Sequence, residues 1–162
     1  MNVIIREMQP AEYPLLEEFL YQAIFQRDMD HLIPRSEICK PEVRVYIENF
    51  GEQPEDYCLR AEVSGKIVGA VWVRNIEGFG SIDNQTPEFS ISLLPGYRGQ
   101  GIGTQLMRAM LRYLKKAGYT KTSLAVQKDN YALRMYQNVG FRIVDENQEE
   151  YIMVCFLKEL FD

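Results

Sequence analysis

Residues 95–107, Pro-Gly-Tyr-Arg-Gly-Gln-Gly-Ile-Gly-Thr-Gln-Leu-Met, set four glycines within eight positions and then turn into an apolar, helix-prone run. Glycines at the mouth of a helix suit an anion. The first backbone N–H groups of a helix lack intrahelical partners and lie at the positive end of its dipole. Without a Cβ, glycine lets a phosphate approach them closely. Two familiar phosphate loops do not fit. A P-loop needs Lys-Ser/Thr after its last glycine, and Gly103 is followed by Thr104 and Gln105. The dinucleotide pattern Gly-x-Gly-x-x-Gly would need glycine at Thr104 or at Leu106. What remains is Arg98-x-x-Gly101-x-Gly103.

Other chemistries are narrowed by what the chain contains. His31 is the only histidine, which removes Ser-His-Asp, Cys-His and histidine-based zinc chemistry. Cys39, Cys58 and Cys155 are far apart and odd in number, so no metal spacing or disulfide framework follows, and a reducing, cytoplasmic setting is expected. A net charge of −5 argues against a nucleic-acid binder. No apolar run reaches the length of a membrane span, and no signal-peptide pattern follows Met1.

The elements that must position the glycine loop follow from periodicity. Strands are predicted at 3–6, 57–63, 66–73, 88–94, 122–126, 141–145 and 151–157, with Ser64-Gly65 as a hairpin signal. Helices are predicted over 10–26 and 41–50, from Gly101 to Gly118, and from an Asn130 cap to about Gly140. The 162 residues read as one domain, a mixed α/β fold with a largely antiparallel central sheet flanked by helices.

"SLLPGYRGQGIGTQLM" resembles the acyl-CoA-binding segment of the GNAT N-acetyltransferase superfamily, a strand and a proline followed by Arg/Gln-x-x-Gly-x-Gly/Ala at the start of a helix. "NYALRMYQNVGF" is similar to a second segment of that superfamily, with Asn130, Ala132, Tyr136, Gly140 and Phe141 in place. Residues 1–86 match in element order alone.

The resemblance implies acetyl-CoA as co-substrate, no metal, and a primary amine of a small molecule, peptide or protein as acceptor. It implies that the amides of Gly99, Gln100, Gly101, Ile102, Gly103 and Thr104 cradle the pyrophosphate, with Arg98 shaping the loop or pairing a phosphate. Leu93 and Leu94 would offer free backbone groups to the pantetheine arm, and one of their amides would polarise the thioester. Asn130 would touch the cofactor arm while capping its helix. Tyr136 would serve the leaving thiolate, and Glu88 would serve as base, with Asp83 or water alone as rivals.

Plainer readings stand beside these. Tyr136 also suits a core position, Asn130 a simple cap, and Glu88 a solvated strand end. His31 suits an ordinary loop, and Trp72, Phe79 and Tyr57 suit packing as well as an acceptor pocket. A non-catalytic acyl-CoA sensor is the alternative to an enzyme. The oligomeric state stays open, a homodimer included.

Overall fold

The computed structural model describes residues 1–160. Its strands are β1 (Val3–Glu7), β2 (Tyr57–Val63), β3 (Lys66–Arg74), β4 (Glu88–Leu93), β5 (Lys121–Gln127), β6 (Phe141–Glu146) and β7 (Glu150–Phe156). They form one seven-stranded sheet in the order β1-β2-β3-β4-β5-β7-β6. Every neighbouring pair is antiparallel except β4 and β5. The helices are α1 (Leu16–Ala23), α2 (Pro41–Arg44), α3 (Ile102–Lys116) and α4 (Ala132–Val139). The mixed, largely antiparallel sheet flanked by helices agrees with the sequence reading.

The near-continuous apolar run of β3, Ile67-Val68-Gly69-Ala70-Val71-Trp72-Val73, becomes a central strand covered on both faces. Val71 and Val73 join Phe89, Leu106, Met110, Leu114, Leu124 and Met153 beneath α3 and α4. Ala70 and Trp72 turn the other way and pack with Leu16, Phe19 and Leu20 of α1. Each fully buried side chain of Leu or Met size contributes about 1.5–3 kcal/mol.

Two predicted helices are shorter than their periodicity suggests. The segment 10–26 opens as a 3-10 turn, Pro10–Leu15, and becomes α-helical only over Leu16–Ala23. Pro14 has no N–H to give to a helical ladder there. The segment 41–50 is α-helical only to Arg44 and continues as turns. Its carbonyls are taken by β3: the Arg74 guanidinium donates to the carbonyls of Val45 and Glu48, and Trp72 Nε1 donates to that of Tyr46.

The feature that positions the site lies between the two parallel strands. Glu88 and Ser123 are the one residue pair in register between β4 and β5, where the Ser123 amide donates to the Pro87 carbonyl at 3.2 Å. Past that pair the strands separate into a wedge. The parting therefore begins at Glu88, several residues before Leu93 and Leu94.

Candidate active site

At the C-terminal end of β4 the chain makes a short 3-10 turn, Pro95–Tyr97, and enters α3 through the glycine loop. Gly99 and Gly101 have φ values of +73° and +86°, in the left-handed region that side chains disfavour. Gly101 occupies the N-cap position, and no side chain caps the helix. The first ladder bond runs from the Gln105 amide to the Gly101 carbonyl. The amides of Ile102, Gly103 and Thr104 precede it and have no acceptor in the helix. Gln100 steadies the loop by donating from Nε2 to the Gly96 carbonyl at 3.1 Å.

Gly103 differs from its neighbours. It is buried, and a Cβ there would meet Leu93 Cδ1 and Met135 Sδ, both at 3.6 Å. It therefore marks where α3, α4 and the end of β4 converge, and is not part of a surface loop. Arg98 shapes the loop, one of the two roles expected for it. Its Nε donates to the Leu93 carbonyl at 3.2 Å and its Nη2 to Gln22 Oε1 at 2.9 Å, tying the loop to β4 and α1.

The register fixes which backbone groups face the wedge. Successive residues of an antiparallel strand turn their N–H and C=O to opposite sides. The Leu94 amide donates to the Val68 carbonyl at 2.8 Å, so the groups of Leu94, Ser92 and Ser90 point to β3. Those of Ile91 and Leu93 point toward β5, which has moved away. The expectation that both Leu93 and Leu94 offer free backbone groups to the wedge is thus corrected for Leu94. Leu94 is committed to β3, and Ile91, absent from the sequence reading, takes its place beside Leu93.

Asn130 caps α4 as expected, accepting the Ala132 amide on Oδ1 at 2.9 Å. Tyr136, six residues beyond Asn130, is half-buried and packs edge-on against Phe141 with ring centres 5.9 Å apart. Its hydroxyl makes no hydrogen bond among the described residues. Burial, and then the neighbouring Tyr131, push its pKa up to about 12. A phenol in that state stays neutral and donates hydrogen bonds.

Glu88 is not a solvated strand end. It is 2% exposed. Its Oε2 accepts from the Tyr46 hydroxyl and from the Gly80 amide at 3.2 Å. Tyr46 in turn accepts the Phe79 amide at 2.9 Å and stacks on the exposed Phe79 ring. Burial raises the Glu88 pKa above the usual carboxylate range, while the Tyr46 hydroxyl and the nearby Gly80 and Gly78 amides pull it back. Arg74, opposite Glu88 in the β3–β4 ladder, does not neutralise it, because Asp56 holds that guanidinium at 2.9 Å. Gly80 packs against the Leu124–Ala125 backbone so closely that a Cβ there would collide with it.

The remaining candidates lie elsewhere. Asp83 is paired with Lys121 at 3.3 Å, at the N-terminal end of β5 and away from the wedge mouth. Hydrogen bonds, first from Thr86 and then from the Gln85 amide, hold its pKa low. His31 is exposed and contacts Asp28 at 2.8 Å. Trp72 is core, and Tyr57 stacks on Tyr113 beneath the α3 face. Sequence reasoning missed Tyr46 and Ser123. Tyr46 fell within the helix predicted over 41–50, and nothing local marked either residue. At the wedge mouth, Arg27 and Asp129 form a two-pronged ion pair at 2.7 and 2.9 Å, joining the segment after α1 to the turn after β5.

Among the described residues no group of histidine, cysteine or acidic side chains has a metal-binding arrangement, and no helix is long and apolar enough to cross a membrane. Residues 17–141 match the model of the Acetyltransferase (GNAT) family. The chain is similar to the N-alpha-acetyltransferase of Sulfurisphaera tokodaii, with 29% identity over 149 residues, 85% of this chain and 88% of that protein. It is 34% identical over 105 residues to an uncharacterized N-acetyltransferase of Methanocaldococcus jannaschii, covering 60% of this chain and 44% of that one. The chain thus spans less than half the length of the second relative. The crystal structure of a GNAT family acetyltransferase from Elizabethkingia anophelis with acetyl-CoA bound superposes with a TM-score of 0.67, at 19% identity, over 96% of this chain and 98% of that one.

Proposed function

The chain belongs to the GNAT acetyltransferase family, and from that premise we propose that it moves the acetyl group of acetyl-CoA to a primary amine by direct attack on the thioester. The observation that carries this reading is the wedge between β4 and β5, which opens onto the uncapped N-terminus of α3. A pyrophosphate at the amides of Ile102, Gly103 and Thr104 directs the pantetheine arm into that wedge. There the Leu93 and Ile91 amides take the place of the hydrogen bonds β5 has given up. The amide that meets the thioester carbonyl polarises it and stabilises the developing oxyanion. Asn130 sits beside the arm at the start of α4.

Magnitudes assign the proton steps. An amine of pKa about 10.4 costs roughly 4–5 kcal/mol to deprotonate at pH 7, an α-amine near 7.7 only about 1. Glu88, raised by burial, is a better base than an exposed carboxylate, and it works through water. Against a thiol near 8.5, a tyrosine at about 12 lies some 3–4 pH units uphill for full transfer. Tyr136 therefore stabilises the leaving thiolate by hydrogen bonding. Residues 1–162 act as one acetyltransferase domain in this reading. The three free cysteines support a reducing, cytoplasmic setting.

The test is release of free thiol from acetyl-CoA against an amine panel: alanine-initiated peptides, lysine peptides, polyamines, aminoglycosides and amino acids. Turnover with a product heavier by one acetyl group supports the proposal. Tight acetyl-CoA binding with no turnover across the panel would make the chain a sensor module.

A further inference from the structure

Two buried side-chain polar atoms among the described residues lack a hydrogen-bond partner, Glu88 Oε1 and Ser123 Oγ. Both belong to the single residue pair that joins β4 to β5. Glu88 reaches Tyr46 on the α1–α2 face. Leu124 and Val126 point to the α3 face, so Ser123, alternating with them, projects to the same face as Glu88. Ser123 is fully buried and Glu88 nearly so. Buried polar atoms are almost always satisfied by protein or ordered water. Two orphans on one register pair, at the apex of the wedge where the acetyl group is to react, point to one shared partner.

We propose that Glu88 Oε1 and Ser123 Oγ hold a single water molecule between them, making Ser123 a positioning residue for proton removal from the acceptor. This rests on the reading of Glu88 as base. The water donates one hydrogen to Oε1 and the other to Ser123 Oγ, leaving its lone pairs toward the amine. An ammonium N–H of the acceptor breaks and its proton joins the water oxygen. The water's own proton passes to Oε1, and the nitrogen keeps the electron pair for attack. Charge balances: a cation and a carboxylate become a neutral amine and a neutral acid. Ser123 itself exchanges no proton and acts by fixing the water's orientation.

Other groups bear on this titration. Tyr46 reaches Glu88 from the turns after α2, and Gly78 and Gly80 present amides from the β3–β4 loop. Glu150 of β7 adds a repulsive charge, and Arg74 of β3 is occupied by Asp56. None of them supplies a partner to Ser123 Oγ.

The experiment begins without an acceptor. The Glu88 carboxyl is titrated by its infrared C=O band, isolated by subtracting the matching Glu88→Gln spectrum, in wild type and in Ser123→Ala. The expected result is an upward move of the midpoint by about one pH unit in Ser123→Ala, because the carboxylate loses a hydrogen bond that favours its charged form. A midpoint that stays or falls overturns the proposal. With an acceptor from the amine panel, Ser123→Ala should lower kcat/KM about tenfold near pH 7, with the deficit fading toward pH 9.5. In a Glu88→Gln background it should cost nothing more. Equal losses in both backgrounds would put Ser123 outside the Glu88 proton path. An unimpaired Glu88→Gln enzyme overturns the base reading and this proposal with it. An impaired Glu88→Gln beside an unimpaired Ser123→Ala overturns the Ser123 role alone.

Discussion

Tyr46 and Glu88, 42 positions apart, meet through a hydrogen bond from the tyrosine hydroxyl to Oε2, while the same hydroxyl accepts the Phe79 amide. One side chain thus orients the carboxylate and anchors the β3–β4 loop over it. Tyr46→Phe leaves the Phe79 amide without its acceptor and Oε2 with one donor fewer. Stability should fall by about 1–3 kcal/mol in urea unfolding. The acid limb of kcat/KM should move to higher pH, since the lost donor favoured the charged carboxylate. Wild-type stability and an unmoved limb would make the contact incidental.

Glu88 has its own signature in stability. Its folded pKa lies above the unfolded one, so folding disfavours its ionised form. The stability this group contributes is present below the unfolded pKa and is lost as pH rises through the folded value. Glutamine does not ionise. The melting temperature of Glu88→Gln should therefore gain on that of wild type as pH rises from about 4 to 8. A constant difference across that range would mean that the carboxyl titrates alike in both states.

Tyr136→Phe separates packing from chemistry. The ring and its edge contact with Phe141 remain, and the hydroxyl removed has no partner among the described residues. Thermal stability should hold or rise slightly. If the hydroxyl serves the leaving thiolate, kcat should drop by about tenfold to a thousandfold. An unchanged kcat returns Tyr136 to the core.

Thr104→Glu tests the phosphate cradle through effects of opposite sign. Thr104 is the third residue of α3, where a carboxylate favours the helix dipole by about 0.3–1 kcal/mol. The free protein should melt no lower than wild type. The same charge repels a pyrophosphate, so CoA affinity measured by calorimetry should weaken at least about tenfold. Unchanged affinity in the folded variant would end the cradle assignment.

Much of this arrangement was legible in the sequence, and the parts that were not share a cause. Gly101 and Gly103 announced the α3 entry because backbone freedom and missing side chains leave a local trace. Asn130 as a cap and the strands around Trp72 were equally local. Leu94 failed because which amides a strand exposes depends on its partner's register, here Val68. Tyr46 and Ser123 failed because their significance lies in meeting Glu88 across the fold. The helix predicted through residue 50 failed because Arg74 and Trp72, remote in sequence, draw off its carbonyls.

The lone Glu88–Ser123 pair also makes the sheet a joined structure with one weak seam. On one side stand β1 to β4, on the other β5 to β7, and among the described residues no further β4–β5 register pair crosses between them. In the proposed binding mode, an acyl donor seated in the seam would work as mortar, completing across its own amides the hydrogen bonding that the backbone interrupts. Cohesion of the two halves then becomes a function of donor supply. At a hundredfold excess over its dissociation constant, a ligand specific for the folded state adds about 2.7 kcal/mol. Amide exchange should slow most at Ile91, Leu93 and Ala125, on the two faces of the seam. In that binding mode the protein would carry a record of its donor concentration in its own rigidity, before any acceptor arrives.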